Sequence, residues 1–172
     1  KIKIDVVVLP LSGHLYPTLN LLAPLLQNPQ YEIRLFTGPQ KKAVAEAAGF
    51  NVVTILEGRI EEFEKAANNS EQLGILSAYH QLSASIDLIN LVSDQLMKEW
   101  QKNRPDIVIA DFITLSGGLI ANQLGIPWIT TMATQFVLET TDGPPCLIGG
   151  MGSPKNAWQA AVQFLGRKGT RL

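Results

Sequence analysis

Apolar runs of strand length alternate with stretches of helical periodicity along this chain. Ile2–Leu9 is nearly unbroken in its apolar character and predicts a buried strand. A helix is predicted from about Pro17 to Gln27, where Leu19, Leu22, Leu25 and Leu26 recur at helical spacing and Pro24 is expected to bend the last turn. Tyr31–Thr37 predicts a second strand, closed by Gly38-Pro39. A short helix over Lys41–Ala48 should stop at Gly49, because glycine accepts the left-handed conformation that ends helices. Asn51–Leu56 predicts a third strand. Arg104-Pro105 introduces a fourth, Asp106–Ala110, and after a helix over Leu115–Leu124 that ends at Gly125 comes a fifth, Ile126–Thr131.

A helical insertion separates the third and fourth strands. A first piece, Arg59–Ala67, runs into Asn68-Asn69-Ser70, a turn and cap signal. A long helix over roughly Glu71–Lys102 is expected to bury Ile75, Tyr79, Leu82, Ile86, Ile89, Leu96 and Trp100. Its opposite face would carry His80, Ser83, Asp87 and Asp94. Beyond the fifth strand, Gly143-Pro144-Pro145 and Gly149-Gly150 mark a loop. An amphipathic segment, Lys155–Leu165, then places Trp158, Val162 and Leu165 on one side. Trp100 and Trp158 read as core or interface residues, Trp128 as a core residue, and His80 as a solvated one.

Repeated strand–helix–strand units imply an α/β fold: a doubly wound parallel sheet with helices on both faces. In the common winding order, strands one and four are neighbours where the winding reverses, and ligands bind outside the carboxyl ends of the strands there. Two segments meet at that point. One is Pro10-Leu11-Ser12-Gly13-His14-Leu15-Tyr16-Pro17, after the first strand; the other begins at Asp111, after the fourth. Histidine as a residue type changes charge near neutral pH. A carboxylate bonded to one imidazole nitrogen fixes the tautomer, so that the other nitrogen can take a proton. Each residue has a plainer reading as a cap of the helix after it. Together, at adjacent strand ends, His14 and Asp111 read as a dyad that activates a hydroxyl directly. Ser12 is close by but sits in no Gly-x-Ser-x-Gly elbow.

Composition narrows the remaining options. The 172 residues are 46% hydrophobic and 17% charged, with a formal net charge of -1 and the signs interspersed. No basic stripe suggests nucleic acid or an anionic membrane. Cys146 is the one cysteine, which excludes an internal disulfide and a cysteine-based metal site and fits a reducing cytoplasm. The two histidines are far apart in sequence, so a zinc site has no support. No apolar run is long enough for a transmembrane segment. The chain opens on a strand, so a secretory leader is expected to be absent or removed. The first strand is followed by no Gly-x-Gly-x-x-Gly, the second ends in Thr37-Gly38-Pro39 with no acidic residue, and no Walker A motif is present. Dinucleotide binding and nucleotide hydrolysis are therefore disfavoured.

Gly13-His14-Leu15-Tyr16-Pro17, with Leu19, Leu22, Ala23, Leu25 and Leu26 after it, resembles the opening of the family 1, UDP-sugar-dependent glycosyltransferases. Arg104-Pro105-Asp106-Ile107-Val108-Ile109-Ala110-Asp111 resembles the strand that carries their partner aspartate. Gly118-Leu119-Ile120-Ala121 and Leu124-Gly125-Ile126-Pro127 resemble the next helix and strand of that family. The Gly143-Pro144-Pro145 loop is similar to the bacterial branch that includes macrolide and carotenoid (zeaxanthin) glucosyltransferases. The resemblance covers nearly the whole chain in the correct order.

This likeness implies one half of a GT-B fold, in which two Rossmann-like domains face each other across a cleft. Residues 1–172 would form a single, incomplete N-terminal acceptor-binding domain, with the donor-binding C-terminal domain and its signature absent. His14 would be the catalytic base and Asp111 its orienting partner. Ser12, Gly13, Thr131, Met132 and Thr134 would lie near acceptor or donor. The resemblance implies a UDP-sugar as co-substrate, no permanent cofactor, no metal and a small lipophilic acceptor. Activity would belong to the intact protein and not to this chain alone. Two alternatives stay open: a non-catalytic subunit that pairs with a separate donor-binding chain, and an unrelated Rossmann-like binding domain.

Overall fold

The computed structural model describes residues 1–59, 61, 63, 75–133 and 152–169, with the side chains of 75–82 and 169 excepted. The chain divides into two compact units, Lys1–Ala133 and Thr134–Leu172.

The first unit is a five-stranded sheet of β1 (Ile2–Val7), β2 (Tyr31–Thr37), β3 (Asn51–Thr54), β4 (Ile107–Asp111) and β5 (Trp128–Thr131). The strand order is β3-β2-β1-β4-β5 and each neighbouring pair is parallel. Its helices are α1 (Ser12–Leu26), α2 (Lys42–Ala47), α3 (Ile75–Lys102) and α4 (Leu115–Gln123). The fold is the expected doubly wound α/β fold, with β1 beside β4 at the reversal of winding.

Side-chain alternation along β1 explains why both faces are covered. Ile4, Val6 and Val8 join a core with Leu15, Leu19 and Leu22 of α1 and Leu35 of β2. Val7 and Leu9 point the other way, into a core with Val92, Leu96 and Trp100 of α3 and Ile120 and Ala121 of α4. A strand buried on both faces must be apolar at nearly every position, which is the pattern of Ile2–Leu9.

Four expectations need correction. The first helix begins at Ser12 and not near Pro17, so His14 stands in its first turn. Pro17 therefore lies inside the helix, where its missing N–H leaves the Gly13 carbonyl without the usual donor four residues on. The Thr18 hydroxyl, 2.8 Å from the His14 carbonyl, gives that neighbouring carbonyl a side-chain donor. Secondly, α3 buries Leu88, Val92, Leu96 and Trp100, an i, i+4 series, while Ile86 is exposed. Ser83, Asp87 and Asp94 are exposed as expected; the side chains of Tyr79, His80 and Leu82 lie outside the described residues, as does the stretch 64–74. Thirdly, Trp128 is 42% exposed; its ring lies over Gly118, where an added Cβ would come within 2.8 Å of it. Gly117 is just as confined, since a Cβ added there would come within 2.8 Å of the Ala110 side chain, so this adjacent glycine pair lets α4 approach the sheet closely. Fourthly, β5 starts two residues late, at Trp128.

Beneath the sheet lies a charge network that periodicity does not reveal. Arg34 on β2 donates from Nε and Nη2 to both oxygens of the buried Asp5, at 2.9 and 2.7 Å, and from Nη1 to Glu99 at 2.6 Å. The Trp100 indole N–H donates to Asp5 as well, at 2.8 Å. The network fastens the last turns of α3 to the inner strands of the sheet.

In the second unit the described residues form α5 (Ala157–Gly169). The Gln159 N–H donates to the Asn156 side chain and the Lys155 N–H to the Gln159 side chain, a reciprocal arrangement at the helix start. Trp158, expected as core or interface, is 76% exposed.

Candidate functional site

The loops after β1 and β4 are side by side because their strands pair from Ile4↔Ile107 to Val7↔Ala110. A further bond ties the loops beyond the ladder: the Leu9 N–H donates to the Thr114 hydroxyl at 3.3 Å. Asp111 ends β4 and Thr114 precedes α4; the Thr114 N–H donates to the Asp111 carbonyl at 2.8 Å and closes the short turn after the aspartate.

His14 Nδ1 stands 2.9 Å from Asp111 Oδ2. The carboxylate is fully buried and the imidazole retains 15% of its exposure. The contact has hydrogen-bond length, but the ring N–H is not aimed along it, and such bonds are commonly loose before substrate arrives. With Nδ1 turned toward the carboxylate, Nε2 is left for a ligand. The Phe112 ring packs on the imidazole, with centroids 5.3 Å apart at 45°.

The alternative reading of Asp111 as a helix cap fails. Thr114 occupies the cap position of α4 and makes no side-chain cap bond. Asp111 Oδ2 accepts a long bond of 3.4 Å from the Ile113 N–H, and Oδ1 has no partner among the described residues. Burial raises the Asp111 carboxyl above its ordinary range; the His14 ring and the N–H groups of Ile113 and Phe112 oppose that shift without cancelling it.

This direction carries a prediction for stability. The folded state holds the Asp111 proton to higher pH than the unfolded chain does. The stabilising contribution is therefore full below the ordinary carboxylate value of 3.8 and is lost as pH rises through the raised folded value. Asp111→Asn removes the charge that burial disfavours and should stabilise the fold at pH 7. The gain should shrink toward zero near pH 4. Urea melts at the two pH values test this; a variant weaker than the parent at neutral pH contradicts it.

The other expected site residues divide into three groups. Ser12 and Gly13 lie in the first turn of α1, exposed; the Ser12 hydroxyl accepts from Lys41 Nζ at 2.9 Å, and Lys41 also lies 5.6 Å from the Tyr16 ring centroid. Thr131 is the register partner of Asp111 across β4 and β5, and Met132 is next in the chain, exposed. Thr134 lies outside the described residues.

Phe112, whose ring packs on His14, also lines an apolar cavity of about 380 Å³. Leu9 and Leu11 line it from the loop after β1, Phe112 and Ile113 from the loop after β4, and Leu88 and Val92 from α3. A second cavity of about 250 Å³ adjoins it, with Asp111 and Trp128 in its lining and Phe112 common to both. Volumes of this order suit a small organic molecule. The sequence expectations passed over Phe112 and Lys41. A usable signal was present, since both come after a strand at the carboxyl end of the sheet, where this topology gathers its ligand contacts. Among the described residues, no group of three acidic, histidine or cysteine side chains is placed to hold a metal ion, and no helix is long and apolar enough to cross a membrane.

No protein-family model matches the sequence, and no curated protein matches it. Solved structures do. The chain is similar to CalG4, the calicheamicin glycosyltransferase, with a TM-score of 0.64 and 19% identity over 99% of this chain and 37% of that one. It is similar to the glycotransferase of kitacinnamycin, with a TM-score of 0.60 and 21% identity over 77% of this chain and 30% of the other. It is also similar to SsfS6, a glycosyltransferase from Streptomyces sp. SF2575, with a TM-score of 0.58 and 18% identity over 77% and 39% of the two chains. SsfS6 has also been solved in complex with thymidine diphosphate. The chain thus spans roughly a third of the length of these structures, 30 to 39%. At such identities the likeness is one of fold: the chain has the Rossmann-like fold of the N-terminal half of the GT-B glycosyltransferases.

Proposed function

We propose that this chain is the acceptor-binding, base-carrying part of an inverting glycosyltransferase. The observation that carries the reading is the contact of a mostly shielded His14 with a fully buried Asp111, joined through the Phe112 ring, which packs on His14, to the lining of an apolar cavity. The base takes the proton of an acceptor hydroxyl on Nε2 as that oxygen forms its bond to the anomeric carbon. The bond from that carbon to the nucleoside diphosphate breaks, and the diphosphate leaves with the electron pair. Asp111 keeps the ring in the tautomer with the proton on Nδ1 and stabilises the imidazolium that forms.

The cavity supports a small lipophilic acceptor, because its lining is mostly aliphatic and aromatic. A nucleotide-sugar donor is part of the reading. UDP is the nucleotide expected from the sequence resemblance, while three of the similar structures hold thymidine diphosphate. Its diphosphate would be held by a second domain, in the same polypeptide or in a separate chain, and the reaction belongs to the two together. The lone Cys146 favours a reducing cytoplasm as the place of action.

The test is a titration of the 172-residue chain with 1-naphthol, monitored by methyl and aromatic NMR. Shifts should concentrate at Leu11, Leu88, Val92 and Phe112, with a dissociation constant on the order of 1 mM, as befits a ligand of few atoms. UDP-glucose and TDP-glucose added to the same chain should leave these signals in place. Joined with its donor-binding half, the protein should glycosylate 1-naphthol from one of the two donors. No naphthol shifts, or transfer that survives loss of His14, would refute the reading.

A further inference from the structure

Two buried polar atoms beside the dyad lack a protein partner among the described residues. One is Asp111 Oδ1 and the other is the Thr131 hydroxyl. Buried polar groups are bonded in the great majority of cases, so each orphan calls for an account. The sheet register connects the two. Asp111 and Thr131 are directly paired at the carboxyl ends of β4 and β5. Partners in a parallel ladder project from the same face of the sheet. That face is the one covered by α1, since Ile109, two residues before Asp111, packs in the core with Leu15 and Leu19. His14 approaches Asp111 from α1 on the same side.

We propose that Thr131 is a positioning residue for Asp111: its hydroxyl donates to Oδ1 across one water, and so holds Oδ2 toward His14. The carboxylate has four lone-pair sites. One oxygen already faces the imidazole and the Ile113 N–H, and a donor on the other would fix rotation about the Cβ–Cγ bond. A carboxylate free to turn presents Oδ2 to His14 part of the time; one held at both oxygens presents it throughout. The resemblance to glycosyltransferases places Thr131 near sugar or acceptor. The role assigned here is different, since it acts through Asp111 and requires no ligand.

Among the described residues, the charged or titratable group acting on Asp111 is His14. The Asp111 carboxyl can therefore be read with little interference from elsewhere. A hydroxyl that donates to the ionised carboxylate favours that form, so its removal should push the Asp111 titration upward. The readout is the pH dependence of the Asp111 Cγ signal by NMR in the 172-residue chain, for the parent, Thr131→Val and Thr131→Ser. Thr131→Val should move the midpoint up by roughly half a pH unit or more, and Thr131→Ser, which keeps the hydroxyl, should restore the parent value. If Thr131→Val does not fold, Thr131→Ala makes the same comparison without the second methyl group. An unmoved midpoint on loss of the hydroxyl overturns the proposal. So does an equal shift in Thr131→Ser, which would assign the effect to packing. Because the readout is a titration and involves no transfer, its failure leaves the transferase reading intact; conversely, an inactive enzyme with a Thr131-dependent Asp111 keeps the positioning role.

Discussion

Joined with its donor-binding half, the His14→Ala variant should turn over about 10²–10⁴-fold more slowly than the parent, the span that general-base catalysis supplies. The acceptor KM should change much less, since the ring is not part of the lining of the apolar cavity. Asp111→Asn should also lose turnover, because an amide can present an N–H to the ring and favour the wrong tautomer. The double variant should be little slower than His14→Ala, for Asp111 acts only through the ring. Single-turnover measurements at saturating acceptor read these effects without interference from product release. Losses that multiply in full would mean two independent roles and would dissolve the dyad.

The largest effect on stability is expected at Asp5. Its carboxylate is buried and receives two bonds from Arg34 and one from Trp100. Asp5→Ala leaves the guanidinium without its buried counter-charge and the indole N–H without an acceptor, and should cost about 3–5 kcal/mol, the usual penalty for breaking a buried pair from one side. A domain of this size is stable by only about 5–15 kcal/mol, so the variant should melt early or fold incompletely. Asp5→Asn keeps an acceptor for Trp100 and should fall between the two. Chemical denaturation monitored by tryptophan fluorescence measures the series; a cost under about 1 kcal/mol would mean that burial of the charge already offsets the value of the pair. That outcome has a physical basis, because burial raises the Asp5 carboxyl despite the bonds from Arg34 and Trp100.

The sheet was legible because a parallel strand buried on both faces leaves a mostly apolar run, as in Ile2–Leu9, or an unbroken one, as in Ile107–Ala110. Once β1 and β4 are neighbours, topology alone brings the Gly13-His14 turn to Asp111. The start of α1 was not legible. Pro17 carries the signature of a first helical position, and nothing local distinguishes that from a proline accommodated in the second turn. The face of α3 was misjudged at Ile86 because several apolar residues compete there, and tertiary packing selects the Leu88–Val92–Leu96 row. Asp5 with Arg34 lay beyond any pattern argument. A lone Asp in an apolar run reads as a defect until its partner, 29 residues away, is seen beside it. The Asp111–Thr131 pairing belongs to register, which the apolar pattern of a strand sets only in part.

The charged residues of the sheet occupy separate ends. Asp5 pairs in register with Val108, three residues before Asp111, so at about 3.3 Å per residue the two carboxylates are roughly 10 Å apart along the strands. One end is clamped by a saturated network and the other holds the His14–Asp111 contact. On the proposed function, the cavity walls can be exchanged for other acceptors while the clamped network is left intact and supplies the stability such exchanges cost. Directed evolution of new acceptor ranges has its natural starting material here: diversity at Leu11, Leu88 and Phe112, with Asp5, Arg34 and Trp100 left alone.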